Sequence, residues 1–416
     1  PRSTLFPYTT LFRSRFGDEV SVLHSRLSDG ERFDEWNRIA AGEVKIAVGA
    51  RSALFAPFRN VGLIIVDEEH ESTYKQSETP RYHARDVAVM RGHFEHAVVM
   101  LGSATPSLES YYNAEHGKYV LCRLQSRVEN QQLPSVRVVD LRLNAAENKD
   151  NKVSFFSKIL IDEVYARLKA GEQVIIFLNR RGYARQMLCE QCGYVAGCPD
   201  CSIPYTYHKQ QAILSCHLCG GVIAAPERCP QCHSDAIRFS GIGTEKIEAQ
   251  AHAIFAGARI ARMDSDTMRA ANAHEKTLAA FRRGEIDILI GTQMIAKGLH
   301  FPNVTLVGVI NADMGLFLPD FRAGERTFQL LTQVAGRAGR GDQPGEVIIQ
   351  TFNPFNDVIQ LATTQDFGGF YEYDIEVREA LHYPPCGHLI ALHIQSEDQT
   401  AAEEYARQRF EWLKPF

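Results

Sequence analysis

Between Cys189 and Cys232 four C-x-x-C pairs follow one another, and no other stretch constrains the fold so tightly. The run reads CEQCGYVAGCPDC, fourteen residues, CHLC, nine residues and CPQC, and it holds eight of the ten cysteines. Two residues between cysteines let both thiolates of one tight turn face one ion, and two such turns complete a tetrahedral four-cysteine zinc site. Eight thiolates therefore predict two zinc ions. The competing reading, a disulfide framework or redox pairs, needs an oxidising compartment that nothing else in the chain suggests.

The residues inside the run predict which pairs meet. Residues 203–207, 208–211 and 212–214 read as strand, turn and strand. That hairpin sets Cys198 and Cys201 beside Cys216 and Cys219. Cys189 and Cys192 are left to meet Cys229 and Cys232, giving nested sites. Sequential pairing would have to close a site across only five residues, 193–197. The stretch has too few large apolar residues for a core of its own, so metal binding is expected to supply much of its folding free energy. Its interior position predicts an insertion in something larger.

The 416 residues suffice for two or three domains. A net charge of −5 argues against a generally basic nucleic-acid binder but allows local basic patches. No apolar run approaches a membrane span, and there is no secretory apolar region, so a cytoplasmic protein is expected. Residues 1–14, PRSTLFPYTTLFRS, have no helical or strand period and resemble the translation of a sequencing adapter. They are left out of the fold expectation, and the natural protein is expected to continue upstream. The end at 414–416, straight after a helical pattern, also reads as cut.

Residues 45–48, 61–66 and 97–101 are Val- and Ile-rich runs separated by helical stretches, which predicts strands of a parallel sheet buried on both faces. The second run ends in Asp67-Glu68-Glu69-His70. Carboxylates at the C-terminal end of a parallel strand lie where α/β sheets bind ligands. In a nucleoside triphosphatase the first would hold Mg²⁺ and the second polarise water; a solvated acidic loop is the plainer alternative. The third run closes with Gly102-Ser103-Ala104-Thr105-Pro106-Ser107. Between them, Tyr74, Lys75, Arg81, Tyr82 and Arg85 interleave rings with cations, as single-stranded nucleic acid requires. An ordinary surface loop with packed tyrosines would look the same.

A second lobe is predicted from 151 to 353, with strands at 174–178, 286–290, 304–310 and 346–351 and the cysteine insert at 187–236. Residues 241–246 place two glycines and a threonine ahead of a helix. Gly291-Thr292-Gln293-Met294-Ile295-Ala296-Lys297-Gly298 follows a buried strand. In residues 333–340, QVAGRAGR, Arg337 and Arg340 stand three apart, on one face of a predicted helix. Paired arginines beside glycines suit bidentate contact to a triphosphate, although a solvated helix face has the same spacing.

Together VDEEH, GSATPS, GTQMIAKG and QVAGRAGR, in that order and in two lobes, resemble a superfamily 2 helicase motor. With the double four-cysteine insert, VGARSALFAPF, FLNRRGYA and DFRAGERTFQLL, the chain is similar to the primosomal replication-restart helicases from Arg15 to its end. The resemblance implies two RecA-like lobes, the first (15–127) incomplete, a linker at 128–150, a zinc-ribbon-like insert and a partial α+β C-terminal domain at 354–416. That last part would include a strand at 389–395.

The resemblance also implies roles. Asp67 would hold Mg²⁺ with ATP and Glu68 would be the general base. Gln333, Arg337 and Arg340 would complete catalysis, with Gly291 and Gly298 beside the nucleotide. His70, Ser103 and Thr105 would couple nucleotide state to DNA, and the loop from Tyr74 to Arg85 would sense single strands. Expected partners are forked or single-stranded DNA, primosome proteins and single-strand-binding protein, with the chain a monomer away from membranes. The family's G-x-x-x-x-G-K-[ST] phosphate loop does not occur in this sequence. Two expectations therefore compete: an ATP-dependent 3′→5′ helicase motor, inactive as this chain stands, and a zinc-dependent primosome interaction module without turnover. A restriction or remodelling translocase is a third class, against which the cysteine pairs count.

Overall fold

The computed structural model describes residues 12, 14–24, 27–124, 133–143, 154–179, 186–238, 243–264, 273–293, 295, 301–339, 343–392 and 394–414. Two compact units divide the chain at Tyr371/Glu372.

The first unit begins with β1 (Val20–Leu23), α1 (Asp29–Ala41), β2 (Ile46–Gly49), β3 (Leu63–Asp67), α2 (Ala84–Glu95), β4 (Val98–Gly102) and α3 (Leu108–Glu115). Ser28 and Glu31 cap α1 reciprocally, and Gly42 at φ 82° ends it. β1 pairs with β2 and β3 with β4, both in parallel. The expected strands are therefore present and parallel, but they form two separate pairs, and β1 is an addition. Burial on both faces does not hold. α2 covers one face of β3–β4, where Gly92 lets the helix lie against Val99. The alternate side chains Leu63, Ile65, Val98 and Met100 point the other way and are 53–65% exposed.

The second lobe is built on a six-stranded, all-parallel sheet. Its strands are β5 (Ser135–Asp140), β6 (Gln173–Phe177), β12 (Ile260–Met263), β13 (Ile288–Gly291), β14 (Val304–Val309) and β15 (Glu346–Thr351), in the order β12-β13-β6-β14-β15-β5. Alternation sends Ile175, Leu289 and Ile349 into one apolar core and Val174, Ile288 and Ile348 into the other. The helices α4 (Lys158–Lys169), α5 (Thr244–Ile254), α6 (Ala273–Arg282), α7 (Asp313–Leu316), α8 (Ala323–Ala335) and α9 (Asp357–Thr364) connect or follow the strands. β5 corrects the expected linker: residues 135–140 pair along the whole of β15 as an edge strand. The C-terminal boundary also moves. Val358, Ile359, Ala362 and Phe370 belong to the second lobe's core rather than to a later domain.

The insert is closed at its neck by β7 (Leu188–Cys189) against β11 (Ile237–Arg238). Its hairpin, β8 (Thr206–His208) and β9 (Ile213–Ser215), is antiparallel as expected, and β10 (Val222–Ala224) adds an unforeseen third strand. A small core does exist there: Met187, Ile203, Tyr205 and Leu214 pack with Cys198, Cys201 and Cys216.

The helix α10 (Phe367–Ala380) leads into the second unit, which also holds α11 (Gln399–Leu413). Within that unit Arg378 is buried, donating to Asp374 Oδ2 at 2.7 Å and to the Pro384 carbonyl at 2.9 Å. The expected strand at 389–395 does not form among the described residues, where Leu389, Ile390 and Leu392 are exposed with no neighbouring strand to pair with. Among the described residues no helix is long and apolar enough to cross a membrane.

Candidate nucleotide and zinc sites

β3 delivers Asp67 to the end of its parallel pair, and the chain turns sharply there. Glu68 adopts φ 47°, the left-handed region that costs an L-residue roughly 1–2 kcal/mol. The turn is held by Glu68 N–H to Asp67 Oδ1 (3.0 Å), Glu71 N–H to the Glu68 carbonyl (2.9 Å) and Glu69 N–H to the Gly102 carbonyl (3.1 Å). Asp67 is exposed and Glu68 half-buried, so both carboxylates face accessible space. Next in the chain, the buried His70 side chain bridges the lobes. Gln333 Nε2–H donates to His70 Nε2 at 2.8 Å, which leaves Nδ1–H to donate to Ser103 Oγ at 2.7 Å. Ser103 Oγ also accepts from Thr105 N–H at 3.0 Å. The structure thus gathers Asp67, Glu68, His70, Ser103, Thr105 and Gln333 in one place.

The remaining second-lobe residues divide. Gly291 ends β13 with no room for a side chain: a Cβ would meet Ile295 Cγ1 at 2.5 Å. Gln293 lines the interlobe cleft with His70, Asn179, Arg326 and Gln333. Arg337 is only 8% exposed. It does not sit on a helix face as expected, because α8 ends at Ala335 and Arg337 follows in a turn. Glycine at 336 and Gly339, at φ 67°, account for the early stop. Gly298 and Arg340 lie outside the described residues.

The aromatic-rich loop separates into a base and a tip. Lys75 and Arg81 are exposed. Tyr82 packs edge-on against Phe55, with ring centroids 5.2 Å apart. Tyr74 is differently employed: its Oη donates to the Asp67 carbonyl at 2.7 Å, and burial, aided by Asp67, pushes its pKa up to about 12. Arg85 is turned inward, which corrects its assignment to DNA. Its side chain is 12% exposed and pairs with the buried Glu69 at 3.2 Å. Burial acts to lower its pKa, but Glu69, Asp86 and Glu109 outweigh burial and hold it above the usual value.

The four cysteine knuckles repeat one turn. In each, the fourth residue after the first cysteine donates its N–H back to that cysteine's carbonyl, at 2.8–2.9 Å. Those residues, Gly193, Ser202, Gly220 and His233, all have positive φ. Cys189, Cys192, Cys229 and Cys232 converge in one cluster and Cys198, Cys201, Cys216 and Cys219 in another, with ligand atoms within 4.8 Å of one another. The pairing is nested, as the hairpin required. Sulfurs are 3.6 Å apart across Cys189–Cys232, Cys192–Cys229 and Cys198–Cys219. Four thiolates at ~2.3 Å around one zinc would stand ~3.8 Å apart, whereas a disulfide needs ~2.05 Å. The donors therefore fit zinc. The outer knuckle is seated on the second lobe: a Cβ on Gly193 would lie 2.5 Å from the Phe352 carbonyl oxygen and 2.8 Å from Asn353 Oδ1. Asn353 Nδ2 in turn donates to the buried Asp313 at 2.8 Å.

Sequence reasoning missed the buried Glu69, Ser107 and Ser110, which are hydrogen-bonded together, and the buried Glu325 of the second lobe, which accepts from Leu108 N–H. Ser107 had a legible signal, as a serine directly ahead of Leu108, where α3 begins. The others had none.

Comparison with known proteins agrees with this geometry. A family model described as the helicase conserved C-terminal domain matches residues 236–342. The PriA DNA helicase Cys-rich region domain matches residues 198–222. The replication restart protein PriA of Bacillus subtilis (strain 168) is 49% identical over 97% of this chain and 50% of its own length. That of Chlamydia muridarum is 50% identical over 92% of this chain and 51% of its own. That of Rickettsia conorii is 41% identical over 95% and 61%. The chain thus spans about half the length of the first of these curated relatives. With most of its own residues matched at this identity, and the relatives' zinc region among them, the chain belongs to the family of the replication restart protein PriA.

Proposed function

We propose that the chain carries the facing halves of an ATP-driven 3′→5′ DNA helicase motor that acts in replication restart, in the cytoplasm and as a monomer. The observation that carries this reading is the His70 bridge, which joins the carboxylate turn of one lobe to Gln333 of the other. Asp67 would hold Mg²⁺ with ATP, and the ion supplies charge neutralisation at the phosphates. Glu68 would polarise the attacking water. Arg337, with Arg340, would approach from the second lobe, and His70, Ser103 and Thr105 would report nucleotide state to the DNA-binding surface. Forked or single-stranded DNA is the proposed substrate, and primosome proteins and single-strand-binding protein the proposed partners.

Phosphoryl transfer depends on positioning. Without a G-x-x-x-x-G-K-[ST] run in the sequence, no backbone cradle and lysine fix the triphosphate. The chain as it stands is therefore proposed to be inactive. DNA-stimulated ATPase assays on this chain and on one extended upstream test both points. Turnover is expected only in the longer protein and is abolished there by Glu68→Gln. Comparable turnover in the two would overturn the second point, and none in either the first.

A second reading is favoured by one observation. The insert has its own core, and it exposes Leu218, Val222 and Ile223 by 44–54%. Such a surface suits a zinc-dependent module that holds a primosome protein without turnover.

A further inference from the structure

We propose that Glu69 and Arg85 form a buried coupling knot, making Glu69 a positioning residue that ties the aromatic-rich loop to the carboxylate turn and to the second lobe. The inference rests on the reading of the loop tip as a single-strand contact.

Three segments meet at one carboxylate. Glu69 is 1% exposed. Its Oε1 accepts from Ser107 N–H at 2.6 Å. Its Oε2 accepts from Ser110 Oγ at 2.8 Å, Ser107 Oγ at 3.0 Å and Arg85 Nη1 at 3.2 Å. Arg85 also donates to Ser107 Oγ. A buried charge survives only when paired and hydrogen-bonded, and here the carboxylate belongs to the turn after β3 while its partners come from the loop's end and the start of α3.

The loop is built to move as a body. Gln76 N–H donates to the Tyr82 carbonyl at 2.8 Å, and Lys75 bridges His83, which closes the tip on itself. Arg51 holds its entry, donating to the Thr73 and Lys75 carbonyls at 2.9 and 3.2 Å. Its two ends are then fastened to the carboxylate turn, Tyr74 to the Asp67 carbonyl and Arg85 to Glu69. A strand seated on Lys75, Arg81 and Tyr82 would thus shift both fastenings together.

The knot also reaches across the lobes. The amide next to Ser107, Leu108 N–H, donates to Glu325 Oε1 at 3.0 Å. Glu325 is buried in the first turn of α8, the helix that carries Gln333. Loop, Glu69, Ser107–Leu108 and α8 therefore make one contiguous path. It arrives at the Gln333–His70 contact without passing through Glu68.

Amide hydrogen exchange on this chain, with and without an oligo-dT strand, tests the proposal. In the wild type the strand is expected to slow exchange at 75–83 and also, by at least about fivefold, at Ser107 and Leu108. Glu69→Gln should keep the protection at 75–83 and lose the transmitted part. A carboxylate with a purely structural role would instead raise exchange equally with and without DNA. Should Glu69→Gln not fold, Ser110→Ala removes a single donor to the carboxylate and should show the same loss at smaller amplitude. Protection at 75–83 without transmission, or transmission that survives both variants, overturns the inference. No protection at 75–83 sinks the DNA reading of the loop and the inference with it.

Discussion

Gln333 reaches across the lobes to His70, amide nitrogen to imidazole nitrogen, at 2.8 Å. The same ring holds Ser103 with its other nitrogen, so its tautomer is fixed by a partner on each side. Gln333→Leu removes the donor and leaves His70 Nε2 buried without it. In the upstream-extended protein, DNA-stimulated ATP turnover should fall about tenfold or more, ~1.4 kcal/mol or above, with single-strand affinity kept. Unchanged turnover would mean that the contact only packs the lobes.

Elemental analysis of reduced, folded protein should find two zinc ions per chain. Structural zinc sites of this kind contribute ~10–16 kcal/mol at neutral pH. The insert's core is separate from the two cores of the second lobe. Chelation should therefore melt β8–β10 while the six-stranded sheet stays protected from exchange. One zinc or none would refute the paired clusters.

Gly193 and Gly220 occupy the same place in equivalent knuckles, at φ 80° and 78°. Around Gly220 there is open space, so Gly220→Ala meets only backbone strain, ~1 kcal/mol. Gly193→Ala meets the same strain and drives a methyl into Phe352 and Asn353, so ~2–4 kcal/mol is expected. Thermal melts of the two zinc-loaded variants check the difference. Equal losses would mean that the outer knuckle is not seated on the second lobe.

Loop tip and loop base should respond differently to substitution. Tyr82→Ala should weaken single-strand binding by ~1–3 kcal/mol, and Arg81→Ala should reduce the salt slope by about one contact. Arg85→Ala strands a buried carboxylate and should cost ~3–5 kcal/mol of stability. If Arg85→Ala instead leaves the melting temperature alone and flattens the salt slope, Arg85 belongs to the tip.

The zinc ligands were legible because their chemistry is local: two-residue spacing, a turn and a hairpin lie within one short run. The parallel strands were legible from Val and Ile runs for the same reason. Residues 135–140 were not, because an edge strand is recognised by the neighbour it pairs with, here β15, more than 200 residues away. Arg85 had the composition of a DNA contact, and only the fold brings Glu69 and Ser107 around it. Arg337 shows the opposite case. The glycines that end α8 were in plain view, but the three-residue spacing of two arginines suggested more helix than those glycines allow. The adapter-like stretch lies mostly outside the described residues, although Phe12 stacks at 6.1 Å on Phe16.

The helix α3 belongs to the first lobe by chain order and to the second by packing. Leu108 is fully buried in the second lobe's core, Tyr111 stacks edge-on with Phe367 and Tyr371, and Glu109 pairs with Arg322 at 2.7 Å. Anyone dissecting this chain would naturally cut near residue 130, after the first lobe. That cut would take a plug of buried side chains away with the wrong half and leave an open hole beside Phe367 and Tyr371. A separable second lobe has to be cut ahead of Ser107, with part of its apparent neighbour kept as its own.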